Sequence, residues 1–379
     1  MTLFSRGRMA FVGIAVAATL LSPVASATPA RASDTLQLPG PTGPHAVGAT
    51  DVHLKDTSRP DPWVPEVEAR ELMVTVWYPT NARHGARTQY MTPEESKLYV
   101  EGKRIPDVAP DVLSTVRTHA YADAKPAGRR LPLVVLSPGH TQPRAFLTGL
   151  AEDLASHGYV VAVIDHTYET YAVTFPDGRI APCAACLVDG PSSFRAKQHQ
   201  VRAADVSFVI DSLTGPRAAW SGARLIDASR IGASGHSSGG ASAIPAMLSD
   251  TRIDVGVNMD GTTSKAIPAT GLSRPFVFLG APPHVPGGPD ESWNVDWSLM
   301  TGWKRWLVVD GAVHGSFHDA AVLAEQLGIP SGATITGTRS MEITRRYNRA
   351  VFDLHLRHRP QPLLETASSR YPEVAIAAR

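Results

Sequence analysis

The pentapeptide Gly235-His236-Ser237-Ser238-Gly239 has the form Gly-x-Ser-x-Gly and lies between a strand-like run and a helix-like run. In this setting a serine sits on a tight, strained turn with its hydroxyl projecting above a sheet, and the flanking glycines remove side chains that would collide there. Such a hydroxyl can attack a carbonyl carbon once a base takes its proton. The pattern therefore predicts that Ser237 is a nucleophile.

A base and an acid must accompany the serine, and in folds with this type of turn they follow it in the order serine, acid, histidine. Asp260 comes directly after the apolar run 255–259 and is followed by Gly261, which places it at the carboxyl end of a predicted strand. His314 lies in a Gly-containing loop after the apolar run 306–309. We expect His314 to act as the base and Asp260 to orient its imidazole.

Other residues are alternatives for these two roles. Asp290, Glu291 and Asp296 lie in the loop region after the next strand, the more common position for the acid in this type of fold. His318 and His284 are alternatives for the base. The strand positions favour Asp260 and His314.

Attack on a carbonyl creates an oxyanion, which needs two backbone N–H donors. The sequence predicts one donor at Ser238, directly after the nucleophile, and the other at His140. His140 lies in the loop Ser137-Pro138-Gly139-His140, which follows the apolar run 131–136. In this interpretation the side chain of His140 need not take part. A simple turn at Ser137-Pro138-Gly139 would have the same backbone geometry.

The first residues predict export. Arg6 and Arg8 precede an apolar run at 9–21, and Ala25-Ser26-Ala27 fits the small-x-small rule for cleavage. We interpret residues 1–27 as a signal peptide, which predicts a secreted protein. An uncleaved membrane anchor is the alternative, but the apolar run is short for a bilayer span of about 20 residues.

The chain has two cysteines, Cys183 and Cys186. In an exported chain this spacing favours a local disulfide. A zinc site would require two further ligands, and a thioredoxin-type motif would require an amphipathic helix directly after the second cysteine. The residues that follow supply neither of these.

Composition bounds the class of protein. The 379 residues include 43% hydrophobic residues, enough for a sizeable core, and 36 Lys and Arg balance 35 Asp and Glu, so no nucleic-acid partner is expected.

We expect an extended arm at 28–44 and one domain over 45–379, with an insertion at about 81–130. Apolar runs predict strands at 47–54, 71–77, 131–136, 159–164, 226–233, 255–259, 275–279 and 306–309. Helical patterns lie at 93–100, 110–118, 146–154, 192–213, 241–248 and 341–356.

Strands and helices alternate along most of this domain, which predicts an α/β fold with a mostly parallel, twisted sheet and helices on both faces. The loop 281–303, between two predicted strands, contains Trp293, Trp297 and Trp303. These indoles either pack in the core or border an acyl pocket.

The chain resembles the bacterial branch of the platelet-activating factor acetylhydrolase family, the plasma and intracellular type II serine esterases within the α/β-hydrolases. The matching segments are Pro41-Thr42-Gly43-Pro44, Arg70-Glu71-Leu72-Met73-Val74, Trp77-Tyr78-Pro79, Ser137-Pro138-Gly139-His140, Gly235-His236-Ser237-Ser238-Gly239, Met259-Asp260-Gly261 and His314-Gly315-Ser316-Phe317. Two positions differ from the animal enzymes, which tend to have an aromatic residue in place of Ser238 and a leucine in place of His140.

The resemblance implies a calcium-independent lipase-like hydrolase without cofactor or metal, with Ser237, Asp260 and His314 as triad and His140 and Ser238 as backbone oxyanion donors. Its substrates would be short or oxidised acyl esters of phospholipids or related lipids. It would work as a monomer with transient contact to a lipid surface. The alternatives on the same triad are a cutinase-like polyester or triacylglycerol hydrolase and a dienelactone hydrolase. A non-catalytic α/β-hydrolase scaffold used for binding is the alternative of another class.

Overall fold

A ten-stranded sheet forms the centre of the protein, as seen in a computed structural model that describes residues 35–188 and 192–379. The predicted signal peptide at 1–27 lies outside the described residues, as does the first part of the arm at 28–44. The strands are β1 (Ala46–Asp56), β2 (Arg70–Thr80), β3 (Tyr121–Ala122), β4 (Leu131–Ser137), β5 (Val160–Asp165), β6 (Ala172–Thr174), β7 (Ile180–Pro182), β8 (Ile226–His236), β9 (Ile253–Met259), β10 (Phe276–Gly280), β11 (Lys304–Val309) and β12 (Val374–Ala378).

The order of strands in the large sheet is β12-β11-β10-β9-β8-β4-β5-β2-β1-β3, and β6 pairs with β7 in a separate two-stranded sheet. The neighbours from β5 through β4, β8, β9 and β10 to β11 are all parallel. Antiparallel pairs occur where β12 meets β11 and where β2 meets β5 and β1. The mostly parallel sheet that the sequence predicts is confirmed.

Helices cover both faces of this sheet. They are α1 (Pro93–Lys103), α2 (Thr148–Ser156), α3 (Ser192–Thr214), α4 (Ser238–Ala241), α5 (Ala243–Ser249), α6 (Glu291–Leu299), α7 (Ala320–Leu327) and α8 (Gly337–Arg357). Short 3-10 segments occur at Val112–Thr115, Arg144–Leu147, Ala185–Leu187, Ala223–Leu225, His314–Phe317 and Pro362–Leu364. Within the described ranges, no helix is both long and apolar enough to cross a membrane.

Strand β4 shows why the central strands are continuous apolar runs. Val134 and Leu136 belong to the core cluster shared with α2 and α8, whereas Leu133 and Val135 belong to the cluster shared with α3, α5 and α6. Successive side chains of a strand point to opposite faces, so a strand covered on both sides needs apolar residues at every position. Full burial of each such side chain contributes about 1.5–3 kcal/mol.

The segment predicted as an insertion, 81–130, lies at the β1 edge of the sheet, where β3 pairs in parallel with β1. It has a hydrophobic cluster of its own, which also contains Leu36 and Leu38 from the arm and Phe146 from the main domain. Of the two helical patterns expected here, the first is α1, and the second is reduced to the 3-10 segment Val112–Thr115.

Candidate active site

Ser237 stands on the turn between β8 and α4, with φ 56° and ψ −128°. A non-glycine residue with positive φ is strained, and here the chain reverses so sharply that no side chain fits two positions before or after the serine. A methyl group at Gly235 or at Gly239 would collide with the carbonyl oxygen of Ser137 at the end of β4. The glycines of the pentapeptide therefore allow the elbow to approach the neighbouring strand.

The imidazole of His314 lies beside this serine. Its Nε2 is 3.0 Å from the Oγ of Ser237, and its side chain is 56% exposed. His314 is the first residue of the 3-10 segment His314–Phe317, which lies in the loop after β11. The sequence prediction placed the base after this strand, and the structure brings it to the serine over a separation of 77 residues.

Asp260 lies directly after β9 with φ 57°, and its carboxylate is buried. Its Oδ2 is 2.6 Å from the Nδ1 of His314, so the imidazole donates through Nδ1 and presents Nε2 to the serine. The Oδ1 accepts the backbone N–H of Ala281 at 2.7 Å. Burial opposes ionisation of Asp260, but hydrogen bonds from His284 and His314 prevail and hold its pKa well below the usual value.

The alternatives for the acid lie elsewhere. Asp290 accepts the N–H of Ser292 at 2.8 Å and caps α6. Asp296 is buried and accepts the hydroxyl of Thr263. Glu291 is exposed in the first turn of α6. Only Asp260 among the four contacts His314 in the described part of the chain.

His284, an alternative for the base in the sequence, lies on the other side of Asp260. Its Nδ1 is 2.8 Å from the Oδ1 of Asp260, and its Nε2 is 2.9 Å from the Oδ2 of Asp290. Sequence reasoning considered His284 only as a base and missed this contact. Its position in the loop after β10, in Pro282-Pro283-His284, carries no pattern that indicates a partner.

The other alternative for the base, His318, is buried in a cluster of rings. Its ring stacks on Phe146 with centroids 5.4 Å apart, and its Nε2 lies 3.0 Å from the side-chain amide of Gln142. Burial, with the nearby His314, lowers the pKa of His318 to about 3. A neutral ring in this position forms part of the wall behind the elbow.

His236, the second residue of the pentapeptide, connects two loops of the site. Its Nε2 is 2.8 Å from the carbonyl oxygen of His314, and its Nδ1 is 3.0 Å from the Oε1 of Gln142. Burial keeps the pKa of His236 well below 6.5, so the ring is neutral and its single N–H donates to one of these two oxygens while the other stays in contact. The same Gln142 oxygen accepts the N–H of Gly139, 3.0 Å away, in the loop after β4.

Arg202 of α3 fixes the loop after β4 through hydrogen bonds to its main chain. Its guanidinium donates to the carbonyl oxygens of Pro138 and, at 3.4 Å, of Gly139. In a trans peptide the N–H points opposite to the carbonyl, so the N–H of His140 points away from the buried guanidinium. This is the orientation that an oxyanion donor at His140 requires.

Arg202 belongs to a buried network that the sequence did not reveal. Its Nε donates to Glu169 at 2.7 Å, and the backbone carbonyl of Glu169 accepts the N–H of Thr141 at 2.8 Å. The side chain of Gln198 contacts both Glu169 and the ring of His140, at 2.8 and 2.7 Å. The loop of the predicted oxyanion donor is therefore fixed by side chains from two distant elements.

The same network contains one group with metal-ligand geometry in the described ranges, formed by His166, Glu169 and Asp205. Arg70 contacts Asp205 at 2.8 Å, and Arg202 contacts Glu169 at 2.7 Å, so arginine side chains already neutralise both carboxylates. His166 bonds Asp205 through Nδ1 and the hydroxyl of Ser137 through Nε2. The group is therefore part of a buried ion network that supports the end of β4.

Two further sequence predictions concern residues outside the triad. Cys183 and Cys186 are joined in a disulfide. Trp293 is completely buried and stacks on Phe278 and on His284, and Trp297 packs against the same core cluster. Trp303 packs against the cluster on the opposite face. The indoles are thus part of the core.

A mostly parallel sheet with helices on both faces, and a serine, a carboxylate and a histidine in that order at the ends of three of its strands, define the α/β-hydrolase class. Residues 30–178 match the sequence profile of the family described as platelet-activating factor acetylhydrolase, isoform II. This partial match agrees with the resemblance seen in the sequence, and the chain is a carboxylic ester hydrolase.

Named relatives agree with this class. The chain is 29% identical to a probable 1-alkyl-2-acetylglycerophosphocholine esterase of Arthroderma benhamiae, over 96% of this chain and 98% of that protein. It is 24% identical to a platelet-activating factor acetylhydrolase of Cavia porcellus, over 59% of this chain and 55% of that protein. The solved structure of a ferulic acid esterase from Streptomyces cinnamoneus superposes with a TM-score of 0.82 at 41% identity, covering 91% of this chain and all of that one.

Proposed function

We propose that the protein is a secreted serine esterase that cleaves carboxylic esters through an acyl-enzyme on Ser237. One observation carries this proposal. The Oγ of Ser237 lies 3.0 Å from Nε2 of His314, whose Nδ1 lies 2.6 Å from the buried carboxylate of Asp260. These distances are within hydrogen-bond reach, which proton transfer from the serine to the imidazole requires.

In the proposed reaction His314 takes the hydroxyl proton as Oγ of Ser237 attacks the carbonyl carbon. The oxyanion is stabilised by the backbone N–H groups of His140 and Ser238. His314 then gives its proton to the leaving alcohol oxygen, and the acyl group stays on the serine. Water attacks this ester with His314 again as base, which releases the acid and restores the hydroxyl.

For the substrate, we favour phospholipids with short or oxidised acyl chains. This rests on the family and on the Arthroderma relative, which is named for an acetylglycerophosphocholine ester. Esters of ferulic acid are the second candidate, because the ferulic acid esterase is the more similar in sequence and matches over its whole length. Both candidates use the same triad and differ in the acyl group.

The proposal also includes a monomeric protein that makes transient contact with a lipid surface. Among the described residues, the large apolar side chains that are exposed are Ile180, Leu187, Val188 and Val295. Leu187 and Val188 are adjacent in sequence and 87% and 54% exposed, which suits weak insertion between lipid head groups. Flotation with phosphatidylcholine vesicles tests the contact, and light scattering of the purified protein tests the monomer.

A fluorophosphonate probe tests the nucleophile. The parent protein should be labelled on Ser237, and Ser237→Ala should lose labelling and on the order of 10⁴-fold or more in turnover of p-nitrophenyl acetate. Ser298→Ala, which removes an exposed hydroxyl on α6, is the matched control and should keep both. Turnover of Ser237→Ala near the parental rate would show that the assignment is wrong.

A substrate panel on the same preparation separates the two candidates. It contains a phosphatidylcholine with an acetyl group at the second position, a long-chain phosphatidylcholine, methyl ferulate, a triacylglycerol, a polyester film and a lactone. Preference for the acetyl phospholipid supports the first candidate, and preference for methyl ferulate supports the second. Preference for the triacylglycerol, the polyester or the lactone would favour the alternatives that the sequence left open.

A further inference from the structure

His284 is enclosed by two carboxylates, one at each nitrogen of its ring. Nδ1 lies 2.8 Å from Oδ1 of Asp260, and Nε2 lies 2.9 Å from Oδ2 of Asp290. The second carboxylate also accepts the hydroxyl of Thr262 at 2.6 Å and the N–H of Ser292 at 2.8 Å. A chain of contacts thus runs from the serine through His314 and Asp260 to a second imidazole and a second carboxylate.

This geometry fixes the protonation of the ring. An ionised carboxylate can only accept hydrogen bonds, so each nitrogen of His284 must carry a proton to bond its partner. Both carboxylates are ionised, since hydrogen bonds from His284 and other donors outweigh burial and hold the pKa of Asp260 and of Asp290 far below normal. The ring is therefore an imidazolium.

The surroundings of His284 stabilise a cation. Its ring stacks on the indole of Trp293, with centroids 4.3 Å apart and planes 23° apart, and an indole face attracts positive charge. Trp293 is fixed in turn, because its Nε1 donates to the carbonyl oxygen of Gly261 at 2.7 Å. Burial opposes the charge, but the hydrogen bonds to Asp260 and Asp290 prevail and raise the pKa of His284 to about 9.

We propose that His284 is a positioning residue that acts as a permanent cation behind the acid of the triad, balancing part of the charge of Asp260 and so keeping His314 neutral at lower pH. This inference rests on the proposed function, because it assigns a role within that triad. A carboxylate without such a neighbour would stabilise the protonated form of His314 more strongly. The base would then be lost at a higher pH.

Other charged or titratable groups near the two rings do not supply this effect. His314 is faced by Asp260, by the hydroxyl of Ser237 and by the rings of His236 and His318. Both of these rings are neutral because burial lowers their pKa values. His284 is faced by the two carboxylates and by the uncharged indole.

The variant His284→Asn tests the proposal through the pH profile of kcat/KM. The amide nitrogen of asparagine can replace Nδ1 as the donor to Asp260, so the hydrogen bond is kept and the charge is removed. We expect the midpoint of the acid limb to move up by about 0.5 to 1 pH unit, since an uncompensated carboxylate favours the protonated base. Asp290→Asn removes a negative charge while the ring stays bonded to Asp260, so it should move the limb in the opposite direction, to lower pH.

Thr262→Val is the matched control. It removes one hydrogen bond to Asp290 but leaves every charge in place. A merely structural role of this region would lower kcat in all three variants without moving the acid limb. An acid limb that stays in place in His284→Asn, or that moves to lower pH, would overturn the proposal.

A second measurement needs no activity. In ¹⁵N-histidine-labelled protein carrying Ser237→Ala, the two ring nitrogens of His284 should both show the shifts of a protonated imidazolium at pH 7.5, with the signal assigned through His284→Asn. A neutral tautomer at this pH would contradict the inference even if the triad is correct. Conversely, an active Ser237→Ala would contradict the proposed function. The charge of His284 would still be given by its ring nitrogen shifts.

Discussion

At the scale of single residues, Asp260 accepts more hydrogen bonds than are needed to orient His314. Its two oxygens accept hydrogen bonds from the N–H of Ala281 and from the rings of His284 and His314. A buried carboxylate with so many donors stays ionised, and its orientation is fixed from both sides. The triad therefore has its acid held by the protein before any substrate arrives.

The charge of His284 also predicts how stability depends on pH. Its pKa is raised from 6.5 to about 9 on folding, because bonds to Asp260 and Asp290 outweigh burial. A group whose pKa is raised on folding stabilises the folded state fully at pH values below its pKa in the unfolded chain. This stabilisation is lost as the pH rises through its pKa in the folded protein. The stabilisation by His284 is therefore lost between about pH 6.5 and about pH 9.

We expect the Tm of the parent protein to exceed that of His284→Asn by the largest margin near pH 6, and this margin to shrink towards about pH 9.5. Thermal unfolding of both proteins across this range measures it. Groups whose pKa is the same in both proteins cancel in the difference. A margin that stays constant with pH would show that the ring is not charged in the folded protein.

The sequence could predict the residues that follow strands, but not those that meet through loops. Asp260 was identified because it comes directly after an apolar run, and His314 because it lies in the loop after another, since such runs end at one edge of a parallel sheet. His284 follows β10 by a few residues, yet its contacts depend on how the loop to α6 folds back onto Asp260. No periodicity or spacing encodes that path.

At the scale of elements, α3 is the support of the loop after β4. Arg202 connects the helix to the carbonyl oxygens of Pro138 and Gly139 and to the carboxylate of Glu169. Burial opposes the charge of Glu169, but Arg202 and its neighbours hold its pKa below the usual value. The arginine thus both orients the loop and neutralises a buried charge.

Replacing Arg202 with methionine should lower the free energy of unfolding by about 3–5 kcal/mol, because a buried carboxylate loses its partner. It should also lower kcat, since the carbonyl oxygens that fix the His140 N–H are released. Urea denaturation and ester turnover measure the two effects.

The exposed Lys197 on the same helix provides the control, since in the described ranges it contacts only the Pro62 carbonyl and the Trp63 ring and Lys197→Gln should cost no more than about 1 kcal/mol. The pair Arg202→Met and Glu169→Gln should recover part of the lost stability, because the carboxylate is then neutral. If Arg202→Met alone were as stable as the parent, the network would not support the loop.

Several elements were absent from the sequence prediction for physical reasons. Strand β12 is Val374-Ala375-Ile376-Ala377-Ala378, at the edge of the sheet, where alanine replaces the β-branched residues that mark a strand. The helix after the nucleophile was expected at 241–248, whereas helical residues begin at Ser238 and are interrupted at Ser242. Pro245 lacks the N–H that would bond back across that interruption.

At the scale of the whole molecule, the alternation of strands and helices sufficed to predict the sheet. Its central strands are buried on both faces, so their apolar runs are long and unmistakable. The buried charged network beneath β4 was invisible, because its members lie far apart in sequence. Arg70 and Asp205, for example, are separated by 135 residues and meet at 2.8 Å.

Export is a prediction about the whole chain. When the full sequence is produced in a bacterial host, we expect the protein in the medium to begin at Thr28, after cleavage behind Ala27. N-terminal sequencing and intact mass measure this. Ala27→Tyr should block processing, because the position before the cleavage site requires a small residue. Protein that stays in the cells with residues 1–27 attached would contradict the prediction.

His236 has a consequence for anyone who wishes to redesign the specificity of this enzyme. One neutral ring touches the main chain of the base and, through Gln142, the loop that would cradle the oxyanion. Substitutions made on opposite walls of the cleft will therefore fail to combine independently. Libraries for altered acyl selectivity should vary both walls together, since beneficial changes found singly will be poor guides to their combinations.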